Sequence, residues 1–268
     1  MFGLLRYKYI GKEIMNTLMR TVFLACAVSS FFVHSVRADV TDIIEKSFDV
    51  DESSLFSLNN INGEVDIISW STPVIKVKAI ITAEEQEEIN LVHIKMKQDN
   101  GEISINTKYD DNDSWNNRQT AKVTYKVWLP AETDLSEIEV INGDLKIEGV
   151  SGKVKAQVVN GSIKATGLTK DSDISSVNGN IKVRYKSISK ALNDINIETV
   201  NGSMKLYLPG EVNASLDLET LHGSIKTEFG IRSKDNFLSG HNLQGKIGSG
   251  DINVKMESVN GSIKVMKR

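Results

Sequence analysis

Six lysines occupy one place in a repeated motif, and they are the residues of this sequence with the clearest chemical potential. Each stands three positions after a repeated glycine: Lys146, Lys164, Lys182, Lys205, Lys226 and Lys264. If the repeats stack, the ammonium groups form a basic stripe suited to acidic polysaccharide or lipopolysaccharide phosphate. Carboxylates stand four positions before some of the same glycines: Glu139, Glu198, Glu219 and Glu257. Because opposite charges pair across strands, we also consider a structural role, in which these carboxylates lie beside the lysines and neutralise them.

Two other sets of polar residues suggest binding chemistry. The asparagines of the repeated Asn-Gly pairs are interpreted as turn residues, with side-chain amides stacked along the repeat. Asp110, Asp111 and Asp113 would suit calcium, but their loop lacks the central glycine and terminal glutamate of an EF-hand loop. We therefore interpret this segment as a solvated loop and predict no metal site.

Catalytic motifs are scarce. After residue 38 the histidines are His93, His222 and His241. The sequence has neither the G-x-S-x-G motif of hydrolases nor the H-E-x-x-H motif of metalloproteases. We therefore predict no enzyme activity and no cofactor. The strongest catalytic alternative is a β-solenoid enzyme that cleaves acidic polysaccharide, although arginine is scarce in the repeats.

Composition narrows the class of protein. The 268 residues include one cysteine, so neither a disulfide framework nor a cysteine-based zinc site can form. The net charge of −3 gives no general attraction to nucleic acid. With 40% hydrophobic residues, the chain has an ordinary composition for a globular protein.

The lysines belong to an internal repeat with a period of about 20 residues. Copies such as VNGSIKA from Val159 and VNGSIKV from Val259 place glycines at positions 143, 161, 179, 202, 223, 245 and 261. The copy around Gly245 is the weakest. Position two after the glycine is apolar in every copy and position four in most of them, which is typical of a strand with one buried face. Position −2 is also apolar in every copy.

Each period contains two short strands and two bends, which two folds would satisfy. Asn and Gly both tolerate positive φ, so they predict a sharp turn. In a β-solenoid each period is one coil, and equivalent residues form ladders. In an antiparallel β meander or roll, each Asn-Gly pair would close a hairpin. We favour the solenoid because it explains the constant lysine.

Residues 39–135 are less regular and are interpreted as an irregular β cap or as the first coils, before the regular repeats of 136–268. Strand-like runs begin at Ser54, Val65, Val74, Val92, Glu102 and Val123. Asp99-Asn100-Gly101 predicts a hairpin turn. Ala83–Ile89 predicts a helical turn or a loop.

Residues 1–38 have the pattern of a secretory signal peptide. A short apolar run, Thr21–Val33, follows Arg20, and small residues precede a predicted cleavage site after Ala38. The alternative is a lipoprotein signal with Cys26 as the lipidated residue. Since no later apolar segment is long enough to span a membrane, we expect a periplasmic, secreted or cell-surface protein without a transmembrane segment in the mature chain.

These patterns together resemble a known family. The stretch from Leu55 to Val65, the segment Tyr125–Pro130 and the VNGSIK repeats resemble the bacterial putative-adhesin family of exported β-strand-repeat proteins, a domain of unknown function. The resemblance covers residues 48–268. It implies a β-solenoid-like fold outside the cytoplasm and carries no catalytic residues.

The sequence thus predicts a non-enzymatic envelope protein that presents a rigid β-repeat face as an adhesin-like binding or structural module. The alternative is a periplasmic accessory protein in envelope sensing or assembly. The expected partner is a glycan, a lipid head group or an envelope protein. Since solenoid ends can stack, self-association is a further expectation.

Overall fold

The computed structural model describes residues 39–51, 54–110, 121–231, 234–236 and 240–268. The predicted signal peptide, its cleavage site and Cys26 lie outside these residues. A short helix, α1 (Gln86–Asn90), confirms the predicted helical turn. The other elements in the described part of the chain are strands: β1 (Val40–Asp49), β2 (Leu55–Asn62), β3 (Val65–Trp70), β4 (Val74–Ala83), β5 (Val92–Asp99), β6 (Glu102–Tyr109), β7 (Lys122–Pro130), β8 (Asp134–Asn142), β9 (Leu145–Glu148), β10 (Val154–Asn160), β11 (Ile163–Leu168), β12 (Ser172–Asn178), β13 (Ile181–Tyr185), β14 (Asp194–Asn201), β15 (Met204–Leu208), β16 (Ala214–His222), β17 (Ile225–Thr227), β18 (Lys234–Asn236), β19 (Gly240–Ile247), β20 (Ile252–Asn260) and β21 (Ile263–Lys267).

The strands form two sheets, and the chain alternates between them in the regular coils. Sheet A has the order β1-β4-β7-β3-β9-β11-β13-β15-β21-β17. Sheet B, read from the same end, has the order β5-β6-β2-β8-β10-β12-β14-β20-β16-β19-β18. One coil is a strand of sheet B, a turn at the repeated glycine and a strand of sheet A. Because neighbouring coils pair in parallel, with Ile163 between Leu145 and Ile181, the predicted β-solenoid is confirmed and the antiparallel meander is wrong.

The coils do not stack in chain order. The last coil in sequence, β20 and β21, lies between coil β14/β15 and coil β16/β17. At the other end the coil β2/β3 lies between strands β6/β7 and coil β8/β9. The first and the last coils of the sequence are therefore both inner members of the stack.

The core lies between the two sheets and follows the predicted alternation. Leu145, Ile163 and Ile263, each two positions after a repeated glycine, are at most 1% exposed. Those at position +4 are buried in most coils, and the lysines at +3 point outward. Burial of each such aliphatic side chain stabilises the fold by about 1.5–3 kcal/mol.

Antiparallel strands cover the ends of the stack. The strands β1 and β4 extend sheet A, and β5 pairs with β6 at the corresponding end of sheet B. Asn100 (φ 48°) and Gly101 (φ 81°) form the turn between β5 and β6, which confirms the predicted hairpin. At the other end, β19 is antiparallel to β16 and places Gly245 inside the strand, opposite Leu216. The prediction of a weak repeat copy around Gly245 was therefore wrong, because this segment is an antiparallel strand between β16 and β18 and not a coil.

Candidate functional site

The asparagines of the repeat form a continuous hydrogen-bonded ladder along one edge of the solenoid. Each Nδ2 donates to the Oδ1 of the asparagine in the neighbouring coil at 2.9 Å. The order along the ladder is Asn62, Asn142, Asn160, Asn178, Asn201 and Asn260. The predicted stacking of amides is confirmed. The turns do not use positive φ at these asparagines: among the described non-glycine residues, Asn100 alone has one.

The glycines allow the coils to approach each other at this edge. A Cβ atom on Gly161 would lie 2.1 Å from the carbonyl oxygen of Gly143, and one on Gly261 would lie 1.8 Å from that of Gly202. Each glycine N–H also donates to a carbonyl of the next coil, as from Gly161 to Asn178 at 3.0 Å. Steric contact between stacked backbones therefore explains the repeated glycine.

All six predicted lysines lie in one column on the outer face of sheet A. Strand pairing sets their order as Lys146, Lys164, Lys182, Lys205, Lys264 and Lys226. Strands in a sheet are about 4.8 Å apart, so the column extends over about 24 Å. We call these six residues the lysine column. Asp66 lies beside Lys146 at one end of it.

Most of this positive charge has no partner in the described part of the chain. Lys146 Nζ lies 3.2 Å from Glu148 Oε1. No described carboxylate lies within 4.0 Å of the other five lysines of the column. Two cations share one aromatic ring, since Lys182 Nζ is 5.4 Å and Arg184 Cζ 4.8 Å from the ring centre of Tyr207. This part of sheet A can therefore bind an anion through ammonium and guanidinium groups that the protein itself leaves unneutralised.

The glutamates at position −4 lie on sheet B, on the opposite side of the solenoid from the lysines. Glu198 pairs with Glu257 on the neighbouring strand, and Glu257 pairs with Glu219 on the strand after that. The expectation that these carboxylates neutralise the lysines was wrong, because the turn at the glycine sends positions −4 and +3 to different sheets. Lys255 Nζ lies 2.9 Å from Glu257 Oε1, and this contact raises the pKa of Lys255.

Sheet B also carries a column of exposed apolar side chains, at position −2 of the repeat. Ile141, Val200, Val259 and Leu221 are 40%, 41%, 38% and 48% exposed. We call these four residues the apolar column. Three of them, Val200, Val259 and Leu221, border a groove of about 520 Å³ together with Glu198, Glu219 and Glu257. The constant apolar residue at position −2 of the repeat was the sequence signal for this column. The alternation of apolar and polar residues after the turn did not show whether that residue faces the core or the solvent.

Inward-facing hydroxyl groups complete the core. The Tyr125 hydroxyl is 2.6 Å from Thr107 Oγ1, and the Tyr185 hydroxyl is 2.8 Å from Ser172 Oγ. Burial raises the pKa of Tyr109 to about 12 and raises those of Tyr125 and Tyr185 further. These phenols are therefore neutral hydrogen-bonding groups at physiological pH.

The segment considered for calcium is described only at its first residue. Asp110 Oδ2 lies 2.9 Å from His93 Nε2, and both side chains are more than half exposed. Asp111 and Asp113 lie outside the described residues. Within the described ranges no three His, Cys, Asp or Glu residues are grouped to hold a metal ion. In the same ranges no helix is long and apolar enough to cross a membrane.

The two sheets, their parallel coils and their residue ladders define a β-solenoid-like class of protein. The sequence pattern of the Toastrack DUF4097 family matches residues 51–266, and the chain belongs to this family. This confirms the resemblance to a family of adhesin-like proteins of unknown function. A search of curated proteins found no match.

Two solved structures are similar to this chain, and the first of them shows the same fold. A putative cell adhesion protein from Clostridium sporogenes is 18% identical, with a TM-score of 0.51 over 86% of this chain and 100% of that one. A putative adhesin from Bacteroides fragilis is 14% identical, with a TM-score of 0.42 over 84% of this chain and 97% of that one. At such identity, the similarity to the Clostridium protein concerns the fold alone.

Proposed function

We propose that the protein is a non-enzymatic binding module of the bacterial envelope that holds an acidic glycan along the lysine column of sheet A. The proposal rests on one observation: six lysines lie in a single column, and five have no described carboxylate within 4.0 Å. Like charges on adjacent strands destabilise a sheet. A bound polyanion would remove this repulsion.

The architecture suits an extended ligand. In five of the six coils the lysine backbone is fixed by neighbours at +2 and +4 that are both buried in the core, so the spacing of the column is set before the ligand arrives. A polymer lying along the stack meets the ammonium groups one after another, and their contributions combine as in other multivalent contacts. Arg184 lies beside the column and adds a planar guanidinium that can bind a carboxylate through two hydrogen bonds.

Binding to polygalacturonate, with neutral dextran as the reference polymer, tests the proposal. The double variant Lys164→Glu/Lys182→Glu should weaken binding at least 30-fold, because each lysine near an anionic surface contributes about 1 kcal/mol. The matched control is Lys155→Glu/Lys246→Glu, which makes the same change of net charge on sheet B and should bind as the unmodified protein does.

Two results would overturn the proposal. One is unchanged affinity of the Lys164→Glu/Lys182→Glu variant in a folded state, shown by an unaltered circular dichroism spectrum. The other is equal binding to duplex DNA of the same charge density, because the site would then lack any preference for a glycan. A decrease of affinity with added salt is expected in either case and decides nothing alone.

The envelope location rests on the signal-like pattern before residue 39, and protease treatment of intact cells tests it. We expect the mature chain to begin at Asp39, with fragments released either from intact cells or only after the outer envelope is opened. Recovery of uncleaved protein in the cytoplasm would refute export. A lipidated Cys26 would make the protein a membrane-anchored lipoprotein.

A further inference from the structure

Sheet B presents an apolar surface that no described part of the chain covers. The apolar column runs along the outer face of the sheet, and its members are each 38–48% exposed. Glu198, Glu257 and Glu219 lie two positions before Val200, Val259 and Leu221 on the same three strands. This groove therefore pairs a row of carboxylates with a parallel row of aliphatic side chains. Exposed sheet faces of this kind are typical of interaction surfaces.

Sheet A of the same molecule has the complementary pattern. In the same three coils it presents Lys205, Lys264 and Lys226. Two positions after the first two lysines stand the half-buried Tyr207 and Met266. A cationic row and an apolar row thus lie two residues apart on sheet A, as an anionic row and an apolar row do on sheet B.

We propose that sheet B of one copy docks on sheet A of a second copy, so that the protein stacks face to face. The two charged rows have the same repeat because both follow the coil spacing of about 4.8 Å. The rows therefore stay in register over several coils. Opposite faces of one molecule are used, so the contact is heterologous and a stack can grow at both ends.

The size of the faces sets the expected strength. Seven coils of about 4.8 Å and about five residues of about 3.3 Å give a footprint of about 550 Å² on each partner. The total of about 1,100 Å² lies in the range of weak and transient interfaces. Association should therefore be weak, dependent on concentration and sensitive to salt.

Sedimentation velocity with complementary charge reversals tests the stacking. In the coils β14/β15 and β20/β21, the variant Lys205→Glu/Lys264→Glu carries carboxylates on both faces, and the variant Glu198→Lys/Glu257→Lys carries lysines on both faces. Each alone should be monomeric where the unmodified protein associates in about 50 mM salt. An equimolar mixture should associate again, because every contact in it is between opposite charges. Leu221→Lys changes only the apolar column and should weaken association about tenfold or more.

Three results would overturn the stacking. The first is an unmodified protein that stays monomeric at millimolar concentration in low salt. The second is a mixture of the two folded variants that does not associate. The third is a monomer whose groove binds phospholipid vesicles in a manner that Leu221→Lys abolishes, which would assign the groove to a membrane.

The stacking and glycan-binding proposals use the same lysines, but each can be refuted without the other. The Glu198→Lys/Glu257→Lys variant keeps the lysine column, so it should bind polygalacturonate although it does not stack. If it binds the polymer and the unmodified protein does not stack, the glycan proposal alone survives. If the unmodified protein stacks and no variant binds the polymer, the stacking proposal alone survives. Where both hold, polygalacturonate should dissociate the stacks.

Discussion

Replacing Gly161 by alanine should destabilise the solenoid strongly, because the new methyl group has no room between two coils. Its Cβ atom would lie 2.1 Å from the carbonyl oxygen of Gly143 and 2.6 Å from the carbonyl carbon. A carbon in contact with a carbonyl oxygen normally lies about 3.3 Å away. The two coils must therefore separate by about 1.2 Å at this edge.

That separation breaks the hydrogen bonds that join the two coils there. The N–H of Gly143 donates to the carbonyl oxygen of Asn160 at 3.0 Å, and Asn160 Nδ2 donates to Asn142 Oδ1 at 2.9 Å. Each hydrogen bond contributes about 1 kcal/mol net to stability, and overpacking of a rigid site costs about a further 1–3 kcal/mol. The free energy of unfolding should fall by about 3–5 kcal/mol, which lowers the melting temperature by about 6–20 °C.

Thermal unfolding followed by far-ultraviolet circular dichroism measures this change. Gly210→Ala is the matched control, because a Cβ atom there has no neighbour within 4 Å. Its stability should stay within about 1 kcal/mol of the unmodified protein. If Gly161→Ala melts within about 2 °C of the unmodified protein, steric contact between coils does not explain the repeated glycine.

Three further predictions concern the amide ladder, the buried phenols and the last coil. Asn160→Asp places a carboxylate against Asn142 Oδ1 and should lower the free energy of unfolding in urea by about 1–3 kcal/mol. Asn180→Asp should leave it unchanged, because Asp144 Oδ1 already accepts the equivalent N–H, from Ser162, at 2.8 Å. Equal losses of stability in the two variants would contradict the ladder argument. Because the pKa values of the buried tyrosines are raised, their contribution to stability is complete below a pH of about 10 and is lost as the pH rises toward about 12. Phenolate absorbance should therefore appear together with loss of the β-sheet spectrum. Tyrosines that all titrate near a pH of about 10 in a folded protein would refute this expectation. Deletion of residues 251–268 removes an inner strand from each sheet and should abolish cooperative unfolding in calorimetry, while a transition kept at its original temperature would show that coil β16/β17 closes on β14/β15 without it.

The repeat predicted the fold and the lysine column because both depend on distance from the glycine. A constant offset of three residues puts the lysine at the same place in every coil, and stacking in register then forms the column. The alternation of Ile163, Lys164 and Ala165 gave the buried and exposed sides of sheet A directly. The local sequence pattern was therefore sufficient to predict burial and exposure within a single strand.

The relation between the two sheets was harder to predict. Glu198 and Lys205 are seven residues apart, and only the path of the turn shows that they lie on opposite sheets. The exposure of Val200 was also missed, since an apolar residue in a repeat suggests burial. Its inward neighbour is Thr199, whose hydroxyl donates to the carbonyl oxygen of Gly179 at 3.4 Å. A polar residue therefore takes the core position, and the apolar residue takes the surface.

The order of the coils left no signal in the sequence. Every coil presents nearly the same backbone edge and the same residues to its neighbours, so any coil can pair with any other on local grounds. Only the length of the connections and the antiparallel pairing of β19 with β16 leave a space that β20 and β21 fill. Such long-range choices depend on the whole assembly and not on one motif.

The inner position of the coil β20/β21 makes the assembly of β16 and β17 depend on residues that are synthesised after them. A growing chain can stack its coils as far as β15, but β16 and β17 cannot reach their place until β20 and β21 have been made. Residues 214–268 therefore remain unassembled while they are still being produced, although folding usually proceeds from the N-terminus. For a chain directed to export, as residues 1–38 predict, this delay would keep the segment in the unfolded state that a narrow translocation channel accepts.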